Sequence, residues 1–155
     1  MNDQNFTTSL IVDQSPEEVF NAINNVRDWW SGEIEGDTNK LGAEFTYQYK
    51  DMHRSTQKIT EFVPGKKIVW HVLDSYLSFV EDKREWDGTE IMFELTKKGE
   101  KTKLCFTHAG LVPRIACYKN CAPAWSYYID ESLRSLITTG KGQPNPNEEK
   151  EKATL

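Results

Sequence analysis

Trp125-Ser-Tyr-Tyr-Ile-Asp-Glu-Ser-Leu-Arg-Ser-Leu-Ile137 carries the longest helical apolar stripe in the chain. Trp125, Ile129, Leu133, Leu136 and Ile137 recur at three to four residues and share one face, and Gly140 follows as a C′ glycine. Pro123 limits the start of this helix: either it sits in the first turn near Cys121 or it kinks a helix begun nearer Arg114. A stripe this long needs a large apolar surface to cover it, and the rest of the chain must supply one.

The preceding sequence has period two. Phe45, Tyr47 and Tyr49 alternate with Glu44, Thr46 and Gln48, which sets three aromatic rings on one face of a strand. A run from about Arg54 to Val63 ends at the turn dipeptide Pro64-Gly65, and another begins at Lys66. In that run Ile68, Trp70 and Val72 share one face while Val69, His71 and Leu73 share the other, so periodicity leaves the inward side open. A connection through Phe79 and Glu81 to Trp86 leads to the turn Asp87-Gly88. Ile91, Phe93 and Leu95 then alternate with Glu90, Met92 and Glu94, Lys98-Gly99-Glu100 reads as a hairpin turn, and Leu104, Phe106 and His108 continue the apolar parity. Gly110 and Pro113 close the strands.

At the other end, Phe6 to Asp13 reads as a strand, and Ser15-Pro16-Glu17-Glu18 is a helix start. It offers an N-cap serine, a proline at the first helical position and a glutamate at capping-box spacing. Val19, Phe20, Ile23 and Val26 give an amphipathic helix ending near Asn24-Asn25, and Trp29, Trp30 and Gly32 follow in a short second helical turn or loop. The order is thus strand, two short helices, about five strands and a long helix. That is an α+β fold, an antiparallel sheet with the C-terminal helix across its apolar face. Residues 1–140 form one domain, and 141–155, without apolar periodicity, are expected to be a disordered polar tail.

The 155 residues carry 19 basic and 24 acidic side chains, net charge -5, which disfavours a nucleic-acid or anionic-membrane surface. No apolar run approaches the 18 or so residues of a spanning helix, and Met1-Asn2-Asp3-Gln4-Asn5 lacks a basic and apolar leader, so a cytoplasmic protein is expected. Aromatic residues reach 12%, which implies an unusually aromatic core and argues against disorder over most of the length.

Those rings are the best candidates for function. Tyr47, Tyr49, Trp70, Phe93 and Trp125 are placed to line a cavity between sheet and helix, with the Tyr hydroxyls and His108 holding the polar end of a ligand. Phe45, Val72, Ile91, Phe106, Ile129 and Leu133 complete the expected apolar wall. Tyr127-Tyr128 and Trp86 are assigned instead to a partner surface. Val69 and Leu73, if left outside, would allow a homodimer through the outer sheet face. The histidines His53, His71 and His108 are acid/base candidates by type, but a lone histidine at a strand end reads as a hydrogen-bonded structural residue. Cys117 and Cys121 share a helix face, and with Cys105 and His108 would make a zinc set, yet the spacing is not Cys-x-x-Cys and buried thiols behave as small hydrophobes. No catalytic residue, cofactor or metal is expected.

The sequence resembles the activator-of-heat-shock-protein-90-ATPase-like branch of the helix-grip superfamily, related to START and polyketide-cyclase proteins. The resemblance runs over residues 6–140 and is carried by Ser15-Pro16-Glu17-Glu18-Val19-Phe20, Trp29-Trp30, Phe62-Val63-Pro64-Gly65-Lys66, Phe106-Thr107-His108-Ala109-Gly110-Leu111, and Trp125 with Leu133. It implies a curved sheet gripping the C-terminal helix around a hydrophobic cavity. The expected function is therefore binding of a small apolar ligand without intrinsic catalysis. The alternatives are a cyclase- or hydrolase-like enzyme using a cavity His and Tyr, and a chaperone-associated regulator.

Overall fold

The computed structural model describes residues 4–144. The first strand, β1 (Phe6–Val12), leads into α1 (Pro16–Asn24) through the expected capping box. The Glu18 amide donates to Ser15 Oγ at 3.2 Å and the Ser15 amide donates to Glu18 Oε1 at 3.4 Å, satisfying two amides that the first turn leaves without partners. A one-turn helix, α2 (Val26–Trp29), follows and buries Val26 and Trp29.

Six further strands come next: β2 (Glu33–Gly36), β3 (Glu44–Tyr49), β4 (His53–Val63), β5 (Lys67–Leu77), β6 (Glu90–Lys98) and β7 (Lys101–Ala109). They form one antiparallel sheet in the order β1-β7-β6-β5-β4-β3-β2, an uninterrupted meander from β2 to β7 closed by the first strand. The β2 strand goes beyond the expected count. Its sequence, Glu33-Ile-Glu-Gly36, holds a single large apolar residue, and it is an edge strand fixed by backbone pairing to β3.

Register decides which face of β5 is inward. Trp70 pairs with Ile59 and with Ile91, and Ile91 pairs with His108, so this row faces the helix and is fully buried. Register shifts at Thr56/Gln57 and Ile59/Glu61 bend β4 and β5 together, as bulges do. The first leaves Leu73 without a partner in the ladder and 41% exposed. Val69, expected to be open on the same face, is buried instead, because it lies in mid-sheet between Glu61 and Met92.

The C-terminal helix is not one regular rod. It starts as α3 (Tyr118–Ser126), widens to a π-helical segment (Tyr127–Leu133), and ends as α4 (Arg134–Thr139). Pro123 lies inside α3, so neither expected start is met: turns over the preceding residues bring the helix in at Tyr118. The wider turn buries Ile129, Ser132 and Leu133 together. Ser132 Oγ donates to the Trp29 carbonyl at 2.8 Å and accepts from the Gln143 amide at 2.9 Å, tying the helix to α2 and to the chain beyond it. Gly140 ends the helix at φ 85°, where a side chain would be strained, and its amide reaches the Leu136 carbonyl at 2.9 Å. Of the expected tail, 145–155 lie outside the described residues. Among the described residues no helix is long and apolar enough to cross a membrane.

The core is a stack of rings. All five tryptophans are at most 2% exposed, and Phe93 touches Trp29, Trp70 and Phe106 edge-on at 6.0, 4.9 and 5.2 Å. Phe93→Ala should therefore cost about 3–5 kcal/mol in equilibrium urea unfolding, against about 1 kcal/mol for Ser15→Ala at the helix cap.

Candidate functional site

The bent end of the sheet and the first turns of the C-terminal helix do not close on each other. Between them is a half-enclosed cavity of about 170 Å³. Tyr47 and Tyr49 reach it from β3, His53 from the start of β4, Phe79 and Trp86 from the β5–β6 connection, and Cys121, Trp125 and Tyr128 from the helix. Trp30 stacks on Tyr47 at 3.9 Å and meets Trp125 at 5.1 Å, so these rings form a continuous aromatic wall. Met52 and Phe79, 46% and 37% exposed, give the cavity an apolar rim.

Of the residues expected to line a site, Tyr47, Tyr49 and Trp125 are in this wall. Phe45, Trp70, Val72, Ile91, Phe93, Phe106, Ile129 and Leu133 lie in the core, nearly or fully excluded from solvent. His108 is also fully buried, and both ring nitrogens are used. Trp125 Nε1 donates to His108 Nδ1 at 3.0 Å, which places the ring proton on Nε2, 2.9 Å from Thr89 Oγ1. Thr89 in turn donates to the Trp86 carbonyl at 2.6 Å. The close approach needs Gly110, where a Cβ would meet Thr89 Cγ2 at 2.5 Å. His108 is thus a node joining helix, sheet and the β5–β6 connection, and it does not reach the cavity.

Trp86 is the clearest correction. Assigned from sequence to a partner surface, it is 2% exposed and stacks on Trp125 at 5.8 Å, with the rings of His53 and His108 edge-on at 4.5 and 4.7 Å. Glu85 holds it there by accepting from the amides of Ala116 and Cys117 at 2.9 and 2.8 Å, just before α3. Tyr128, given the same assignment, is in the cavity wall. Sequence reading did not assign Trp30, Met52, His53, Phe79 or Cys121 to the cavity wall, although it weighed His53 as an acid/base and Cys121 as a zinc candidate; they come from turns, connections and element ends with no shared periodicity.

Chemically the wall is neutral. Tyr128 donates to Ser31 Oγ at 2.6 Å and Ser31 Oγ lies 2.7 Å from Tyr47 OH, so the serine hydroxyl links the two phenols. Burial pushes both phenols up, so they stay protonated. Burial lowers His53 to about 3, and burial with the nearby His53 lowers His108 to about 3. The neighbouring Cys121 thiol, together with burial, pushes the Cys117 thiol up. Cys105 faces away from His108 on β7, so the four-residue zinc set does not assemble, and among the described residues no three His, Cys, Asp or Glu side chains are grouped to hold a metal. A wider groove of about 610 Å³ lies elsewhere, beside α1, walled by Phe20, Phe62 and several asparagines.

The family model described as activator of Hsp90 ATPase homolog 1-like protein matches residues 13–138. The chain belongs to that family. The Aha1 dimer from Colwellia psychrerythraea, a solution structure, is similar at a TM-score of 0.71 with 24% identity, over 90% of this chain and 99% of that one. Protein Mll3558 from Rhizobium loti is similar at 0.67 with 19% identity, over 86% and 96%. DynU16, described as a putative protein in the dynemicin biosynthetic locus, is similar at 0.67 with 17% identity, over 90% of this chain and 49% of that one. No curated protein sequence matches. These likenesses show the fold, a helix-grip architecture, and a fold by itself does not fix the chemistry of its site.

The two buried histidines make stability depend on pH. Each has an unfolded value of 6.5 and a folded value near 3, so the neutral form is favoured by folding. Their contribution is complete above about pH 6.5 and is lost as pH falls toward 3, by about 1.4 kcal/mol per pH unit per histidine. Urea unfolding at pH 7.5, 6 and 4.5 should show this decline, and His108→Gln should flatten its slope by about that amount per unit while lowering stability at pH 7.5.

Proposed function

We propose that the protein is a binding domain for a small, largely apolar molecule of about one aromatic ring, held in the cavity between the sheet and the C-terminal helix, and that it does no acid–base chemistry there. The observation that carries this reading is the aromatic wall of Trp30, Tyr47, Trp86, Trp125 and Tyr128 around about 170 Å³. A dry apolar cavity of about 150 Å³ takes up benzene, so this volume suits a single ring with a short substituent. The wall gives stacking and edge-on contacts, and the apolar rim gives an entry path.

The absence of a poised acid or base among the wall residues supports binding over catalysis. His53 is neutral across the physiological range, His108 is behind the wall with both nitrogens engaged, and the phenols are held protonated. A general base works best with a pKa near the working pH, and no shifted group here has one. A second copy of the chain is a further candidate partner, since Ile11 on the β1 edge and Leu73 and Tyr76 on β5 are 41–50% exposed.

Filling the cavity tests the reading. Ala124 is half-buried in the helix wall, so Ala124→Phe should place a ring in the cavity and leave the core intact. Toluene titrated into the protein, followed by tryptophan fluorescence and ligand-observed NMR, is expected to bind the wild type and to lose at least about tenfold in affinity in this variant. Equal uptake by both proteins would overturn the proposal.

A further inference from the structure

The inner face of β4 is unlike the rest of the core. Its three consecutive inward positions, His53, Ser55 and Gln57, are all polar, and they start in the cavity wall and run toward the middle of the sheet. Ser55 and Gln57 are fully buried. Neither Ser55 Oγ, nor the amide oxygen and nitrogen of Gln57, nor His53 Nε2 has a hydrogen-bond partner among the described residues. Trp70 Nε1, on the neighbouring strand and one inward position along from Val72, the partner of Gln57, is unpartnered as well. Buried polar atoms without partners cost free energy, and native structures hold few of them. Five on one continuous track beside a cavity are a costly arrangement that shape alone does not require, since Leu would fill the Gln57 position.

We propose that this track is the specificity floor of the ligand site, and that it selects a ligand whose ring carries a neutral group with both a donor and an acceptor, such as a carboxamide or a lactam. The inference rests on the ligand-binding reading above. Gln57 offers an acceptor and donors side by side, Ser55 offers either, and Trp70 Nε1 offers a donor, so the complement is an amide-like group. An anionic head is disfavoured, because the track offers no cation to pair with it: Ser55, Gln57 and Trp70 are neutral side chains, burial keeps His53 neutral, and Arg84, the nearest cation tied to this row through Asp87 and Ser75, is already paired with Asp87 at 2.6 Å. The floor is closed in this structure. Tyr47 pairs with Ser55 and stands in the cavity wall, and its hydroxyl is held by Ser31, which in turn accepts from Tyr128 of the same wall. Turning of the Tyr47 ring on ligand entry opens the floor. A site built to bond a polar group rejects an isostere without it, because its own atoms are then left unpaired.

Benzamide, toluene and benzoate are matched single-ring probes. Isothermal titration of the full chain should show benzamide and toluene binding and benzoate at least about tenfold weaker than benzamide. In Gln57→Leu, benzamide should lose at least about tenfold in affinity while toluene changes by less than about twofold, and the melting temperature should rise because two unpaired buried atoms are gone. Should that variant fail to fold, Ser55→Ala reads the same track, with a loss of about threefold or more confined to benzamide. Toluene binding with no benzamide binding, or an equal effect of either substitution on both probes, overturns this inference and leaves the cavity reading standing. No uptake of any probe by the wild type overturns both.

Discussion

The hydrogen bond from Trp125 Nε1 to His108 Nδ1 is the contact on which the arrangement of the cavity depends. It joins the sheet to the C-terminal helix at the point where they begin to diverge, and it works only while the imidazole is neutral with its proton on Nε2. That proton engages Thr89, Thr89 holds the Trp86 carbonyl, and Trp86 stacks back on Trp125. The circuit fixes three elements against one another: the helix, the last strand and the long β5–β6 connection. Its geometry also explains why a histidine that looks chemically available is used for construction. With both nitrogens engaged and no solvent contact, the ring does not take up a second proton at the pH where an imidazole ordinarily would.

The wall built on this circuit combines large apolar faces with phenol hydroxyls that are internally paired. Ser31, Tyr47 and Tyr128 satisfy one another, so the wall needs no ligand to remain stable, and burial keeps both phenols neutral. Glu85 performs the corresponding task at the entrance, where its carboxylate takes two amides ahead of α3 and pins the connection that carries Phe79 and Trp86. The contrast with β4 is what gives the inner track its meaning: the hydroxyls of Ser31, Tyr47 and Tyr128 are matched to one another, whereas four side-chain polar atoms of His53, Ser55 and Gln57 on that one strand are not.

Membership of the family shows the fold, and the similar structures agree with it over most of the chain. The fold does not choose a role, because the same sheet and helix are compatible with many cavity linings. What distinguishes this chain is the lining itself, and that is where the functional proposals are placed.

Much of the architecture is written locally. The capping box at Ser15, the period-two runs of β3, β6 and β7, the helical stripe through Trp125, Ile129 and Leu133, and the stop at Gly140 each depend on residues within one or two turns or along one strand. Such signals survive in the sequence because backbone geometry repeats at a fixed period. The edge strand β2 has no such signal, since backbone pairing to β3 does not require an apolar alternation. The π-helical segment and the inward face of β5 were decided by partners more than fifty residues away or by a bulge in a neighbouring strand. The cavity lies furthest from local reading. It exists where two curved surfaces fail to meet, and its wall is assembled from Trp30, Tyr47, His53, Trp86 and Trp125, residues that share no period and become neighbours only after the whole sheet has bent around the helix.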